Sequence, residues 1–169
     1  MKSKEAPKLL TDEHHKGHTR YASMNRLLPL LCILILSASA LSAQVMRQHL
    51  WRDRVLLVFA PELTNASFEQ QALILQGEYA EELQERRVVV YRVTPGQTIQ
   101  PSGAFMREAR TEQLYLHYDV REEDFTVILL GLDGQVKLRQ LTPVSTATLF
   151  ATIDRMPMRQ TEVKSGGRP

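Results

Sequence analysis

The chain has 169 residues, with 21 Lys and Arg against 19 Asp and Glu and a single cysteine. Six of the basic and three of the acidic side chains fall within 1–43, so the remaining 15 basic and 16 acidic groups leave the rest at about −1, which excludes the electrostatic footprint of a nucleic-acid binder. One cysteine excludes a disulfide framework, and the 126 residues after position 43 have room for one compact domain and no second.

Arg26 precedes a nearly unbroken apolar run, Leu27 to Leu36, which leads to the small residues Ala38-Ser39-Ala40-Leu41-Ser42-Ala43. A basic flank, a short apolar centre and a small-residue exit predict a secretory signal peptide over 1–43, too short to serve as a membrane span. Met24-Asn25-Arg26 is itself a compact basic start, so Met24 is an alternative first residue. Cys32 lies inside the apolar run behind Leu30 and Leu31, whereas a lipid-modified cysteine follows a small residue. Cleavage after Ala43 then gives a cysteine-free, periplasmic or secreted chain starting near Gln44, with no membrane insertion after processing. His14, His15 and His18 lie in the leader, where nothing fixes a metal geometry.

Val55-Leu56-Leu57-Val58-Phe59-Ala60 is apolar, β-branched and too short for a helix; it predicts a buried strand that Pro61 ends. Thr64, Asn65 and Ser67 are alternative N-caps for one helix from about Ser67 to Glu85, with Phe68, Ala72, Leu75, Tyr79 and Leu83 on one face. Arg87 to Val93 predicts a second strand, stopped by Thr94-Pro95-Gly96, and the stretch through Pro101-Ser102-Gly103 a loop. Ala104 to His117 favours helix. Phe125 to Leu130 predicts the third strand, and Asp133-Gly134 turns it into a fourth, Gln135 to Leu141. Thr146 to Arg155 predicts the last helix, ended by Met156-Pro157-Met158, and 161–169 a flexible tail. The domain is placed at 44–160. Its order, β-α-β-α-β-β-α, is that of thioredoxin-like α/β three-layer sandwiches, with the first two strands parallel and the closing hairpin antiparallel.

Arg54 to Pro61, Gly131-Leu132-Asp133-Gly134-Gln135-Val136-Lys137-Leu138-Arg139 and Ile153-Asp154-Arg155-Met156-Pro157-Met158-Arg159, with Trp51, resemble the blocks of a bacterial exported family, the domain of unknown function 4174 family. That family is similar to the peroxiredoxin-like modules repeated in some vertebrate extracellular-matrix proteins of the coiled-coil-domain-containing type. The resemblance spans 49–160 and implies a thioredoxin-like fold with no established activity to inherit. The usual family hairpin looks like Gly-Lys-Asp-Gly; here Leu132 stands in place of the lysine.

Thioredoxins hold a nucleophilic cysteine at the helix start after the first strand. Glu62 to Ser67 contains no thiol, and no proline between Pro101 and Pro143 supplies the partner that faces it. Thiol oxidoreductase and peroxidase chemistry are therefore argued against. Thr64, Asn65 and Ser67 read either as helix caps or as an anion-binding helix start. His117 is the candidate base of a cysteine-independent enzyme, and only His49 joins it in the mature chain, so a His-rich metal site is excluded. Glu122-Glu123-Asp124 reads as solvated surface in preference to a cation site, and Trp51 as an anchor for the N-terminal segment. No catalytic, cofactor-binding or metal residue is assigned, and no cofactor. Lys137, Arg139, Arg155 and Arg159 form the candidate recognition surface, because alternation places the first two on one face of a strand. The functional expectation is a non-redox binding or scaffold module that recognises a protein or cell-envelope component, with a cysteine-independent enzyme or a small-ligand or anion-binding protein as the alternative.

Overall fold

The structure, a computed structural model, describes residues 46–166 apart from the side chain of Glu78; the expected leader, Cys32 and the three leader histidines lie outside the described residues. Strand β1 (Arg54–Phe59) is buried along its whole length; the apolar run Val55 to Phe59 requires this of five of its residues, and Arg54 is buried as well. It pairs in parallel with β2 (Val88–Thr94), Leu57 beside Tyr91, and antiparallel with β5 (Thr126–Leu130), Leu57 beside Ile128. β5 turns back into β6 (Val136–Gln140). On the other side, β2 continues through a Pro95-Gly96 turn into β3 (Gln97–Ile99), which pairs with β4 (Phe105–Met106). The six strands lie in the order β4-β3-β2-β1-β5-β6.

Among the described residues, five α-helices accompany the sheet: α1 (Ala66–Ile74), α2 (Ala80–Glu85), α3 (Glu108–Tyr118), α4 (Thr146–Asp154) and α5 (Pro157–Lys164). Successive side chains of a strand face opposite sides, so β1 feeds two cores. Val55, Leu57 and Phe59 join Tyr91 and Ile128 against Leu114, Tyr115 and Tyr118, three residues from α3. Leu56 and Val58 join Leu129 against Phe68, Leu149 and Ile153 from α1 and α4. Each such fully buried side chain contributes roughly 1.5–3 kcal/mol relative to exposure. No helix among the described residues is long and apolar enough to cross a membrane.

Four features depart from the expected elements. The single helix over 67–85 is two, because Gly77 takes φ +74° in a short 3-10 turn between them, a conformation that ends helices. β3 and β4 replace the loop after Gly96. Their three and two residues are too few to display a period in sequence. Pro157 starts a helix and does not end one: Met156 is extended at its N-cap, and a proline in the first turn forfeits no hydrogen bond there. Helix α5 then carries the chain to Lys164, past the expected domain end at 160.

Candidate functional site

The four cations singled out by sequence do not meet on one surface. In the β5–β6 hairpin the Lys137 ammonium donates to Asp133 Oδ2 at 2.7 Å, and Gln135 N donates to Asp133 Oδ1 at 3.1 Å. Burial works against the Asp133 charge, yet these two donors hold its carboxyl below the ordinary range. A Cβ on Gly131 would lie 2.6 Å from Lys137 Cε and 2.7 Å from Asp133 Oδ1, so the ion pair lies directly over that glycine. Between Leu129 and Leu130 the register slips by one residue, which leaves Lys137 as the extra residue of a β-bulge. The alternation that was to place Lys137 and Arg139 on one face is broken there. Arg139 stands opposite Ile128 and donates to the Tyr118 and Asp119 carbonyls at the C-terminus of α3. Lys137 instead borders a cavity of about 240 Å³ beside Arg54 and Met156, on the α4 side of the sheet.

Arg159 is buried, 6% exposed, and belongs to a network that ties α5 to the start of β1. Its guanidinium bonds the carboxylate of Glu85 and lies 3.4 Å from Asp154. Glu162, one turn further on, receives Arg54 at 3.2 and 3.3 Å and Arg87 at 2.7 Å. Arg54 is fully buried and also donates to the Arg86 carbonyl at 2.8 Å. Burial opposes ionisation of Glu162, but the Arg54 hydrogen bond and the nearby charges of Arg54 and Arg87 keep its carboxyl below the ordinary range. Arg86 clasps Asp154 and stacks over Phe150, 4.4 Å from the ring centre. Arg159 is therefore committed within the fold, its guanidinium tied to Glu85 and Asp154. Arg155 is exposed and, among the described residues, engages no carboxylate.

At the start of α1, Asn65 settles the choice among the three caps: its Oδ1 accepts from the N–H groups of both Ser67 and Phe68, at 3.1 and 3.2 Å. Those donors are the ones an anion or thiolate would need, and the cap already occupies them. No cysteine occurs between 46 and 166.

His117 is exposed on α3 and touches only the edge of the Tyr118 ring, with no carboxylate in reach among the described residues. The organised histidine is His49, which the sequence reading passed over. Its Nδ1 lies 2.7 Å from Asp53 Oδ2 and its Nε2 2.7 Å from the Tyr91 hydroxyl, which Gln48 also reaches at 3.0 Å. A carboxylate, an imidazole and a hydroxyl in series is the geometry of an activated nucleophile. Tyr91, however, is 1% exposed, and burial pushes its phenol up, with Gln48 opposing and Asp53 assisting. The hydroxyl end of the series is buried, and the three contacts fasten residues 47–53 onto β2. The four-residue spacing of His49 and Asp53 was the signal available in sequence; the Tyr91 partner, 42 residues away, was not. Trp51, expected as the anchor, is 63% exposed at φ +63°, and its backbone N–H alone is engaged, by the Leu132 carbonyl at 2.7 Å.

Arg121 binds Asp124 through two hydrogen bonds of 2.9 Å, so the acidic triplet is partly neutralised surface. Among the described residues no group of three or more His, Cys, Asp and Glu side chains is arranged to hold a metal. A further concave feature is an open cleft of about 340 Å³ between α1 and β2.

A family model described as a domain of unknown function (DUF4174) matches residues 45–162, and the chain belongs to that family. No curated protein matches the chain, and no solved structure matches it.

Proposed function

We propose that this member of the DUF4174 family is an exported, thioredoxin-like domain that acts by binding, without thiol chemistry, and that its partner is a protein or another component of the cell envelope. Support for the thioredoxin-like reading comes from the four central strands. In β2-β1-β5-β6 the first pair is parallel and the next two are antiparallel, with helices on both faces; β3 and β4 are additions at one edge. The bacterial source and the likeness to extracellular-matrix modules belong to the same proposal and rest on the hairpin and Met-Pro-Met-Arg residues. Export rests on the apolar segment 27–36 and its small-residue exit.

The observation that carries the non-redox reading is Asn65. It closes the helix start at which thioredoxins expose their thiolate, in a stretch that holds no cysteine. The proposed contact face is the corner of the β5–β6 hairpin and the α4–α5 junction, reduced from four cations to Lys137 and Arg155, since Arg159 is interior and Arg139 is committed to α3. Long-range charge there raises association rate more than stability.

The test is a periplasmic extract analysed by N-terminal sequencing, insulin reduction and affinity capture. The expected result is a chain beginning near Gln44, insulin turnover equal to buffer, and a captured envelope component that Lys137→Gln with Arg155→Gln weakens at low salt. Recovery only in the cytoplasm with Cys32 retained overturns export. Turnover above buffer overturns the non-redox reading.

A further inference from the structure

Helix α1 covers only part of the sheet face on which it lies, because it stops at Ile74 and the chain turns away through Gly77. The uncovered strip of β2 and the flank of α1 form the 340 Å³ cleft, a volume within the range of small-molecule sites. Phe68, Ala72 and Leu75 supply one wall, and Val88 and Val90 the floor. Ala72, Leu75 and Val90 remain half-exposed, so apolar surface is left open to water.

Arg92 borders the same cleft. It lies two residues beyond Val90 on β2, hence on the same face of the strand, and it is exposed. It is the only charged residue in the lining, and among the described residues its guanidinium has neither a carboxylate nor a hydrogen-bond partner. That sets it apart from Arg54, Arg86, Arg87 and Arg159, each of which is tied to a carboxylate. The other polar side chains of the lining are uncharged glutamines. Of these, Gln71 is spent, its amide bonded at both ends to the backbone of Val144. An apolar trough with one unpaired guanidinium at its side is complementary to an apolar chain that ends in one anion. A single planar guanidinium matches a carboxylate through paired hydrogen bonds. A phosphoryl group of higher charge would find no second cation in the lining.

We propose that this cleft binds a small amphiphilic carboxylate, its apolar body between α1 and β2 and its carboxylate on Arg92. The inference rests on the lining of this cleft, within 58–101, and on the Gln71 contact with Val144, and it stands or falls separately from the proposed export and contact face.

Calorimetric titration of the purified full-length protein with hexanoate, octanoate and decanoate, each below its micellar concentration, tests it. Decanol and decyltrimethylammonium serve as head-group controls. Affinity should rise about fourfold per added methylene until the cleft is full, and decanoate should bind at least about tenfold more tightly than decyltrimethylammonium. Arg92→Gln should weaken decanoate about tenfold and leave decanol unchanged. Ala72→Leu, which narrows the trough at a half-exposed position, should remove the chain-length dependence, with circular dichroism verifying that the variant is folded. Absence of saturable decanoate binding, equal affinity for the three head groups, or decanoate affinity unaffected by Arg92→Gln each overturns the proposal.

Discussion

Glu162 is the residue on which Arg54, Arg87 and, at 3.6 Å, Arg159 converge, and its environment yields a pH prediction with a definite sign. Its carboxyl is held below the ordinary range when folded and titrates in that range when unfolded. The stabilisation is therefore complete above the ordinary carboxylate range and is lost as pH falls through the folded value. Removing the carboxylate at neutral pH leaves Arg54, fully buried, without its charged partner. Glu162→Gln should then cost about 3–5 kcal/mol at pH 7, the penalty of an orphaned buried charge. Urea unfolding at pH 7 and pH 3 provides the check: the two proteins should differ most at pH 7 and converge in acid. A gap that stays constant across this range would assign the effect to packing alone. Nothing in the sequence around Glu162 distinguishes it from the other acidic residues. Its role comes from Arg54, 108 positions away, and such pairings leave no local signal. Asn65, by contrast, was one of three legible caps, since capping is decided within a few residues.

At the scale of elements, α3 ends in a left-handed Asp119, φ +49°, with Arg139 of β6 donating to its last carbonyls. A cation at a helix C-terminus offsets the partial negative charge collected there. Arg139→Gln should accordingly lower stability by roughly 0.5–1 kcal/mol, whereas Arg155→Gln should stay within about 0.5 kcal/mol of the parent. Thermal unfolding of the two variants side by side makes the comparison. Equal midpoints would remove the capping role. The sequence-based expectation of two equivalent cations at 137 and 139 failed at the β-bulge, where one extra residue ended the alternation. β1, β2, β5 and β6 were all legible, because apolar runs buried on both faces and an Asp-Gly turn are strong local signals. The break at Gly77 and the start at Pro157 were misread for the opposite reason. Glycine and proline each have two positional meanings, and only the neighbouring packing selects between them.

On the scale of the whole molecule, α5 is a structural brace and not an appendage. It delivers Glu162 and Arg159 to the base of β1 and to the end of α2, and thereby closes the α1–α2–α4 side of the sheet. Ending the chain after Met156 should therefore do more than shorten a tail. Arg54 would lose its carboxylate and keep only a backbone carbonyl as acceptor, and the cooperative unfolding transition should weaken or vanish. Ending it after Lys164 should leave that transition intact. Circular dichroism melts of the two truncations decide the matter, and a cooperative transition of parental midpoint in the shorter one would remove α5 from the fold.

The partnership of Arg54 with Glu162 also sets a clock. β1 lies between β2 and β5, so one of its edges stays open until Thr126–Leu130 has been made, and its first residue waits 108 positions for its counter-charge. At ordinary rates of synthesis that delay is roughly 5–20 s. A chain still on the ribosome therefore has its central strand but neither the second neighbour nor the anion that would let the strand be buried. The native packing of β1 is thus completed only after both Thr126–Leu130 and Glu162 have been made, so it depends on pairings from the far end of the domain and not on the strand's own neighbourhood.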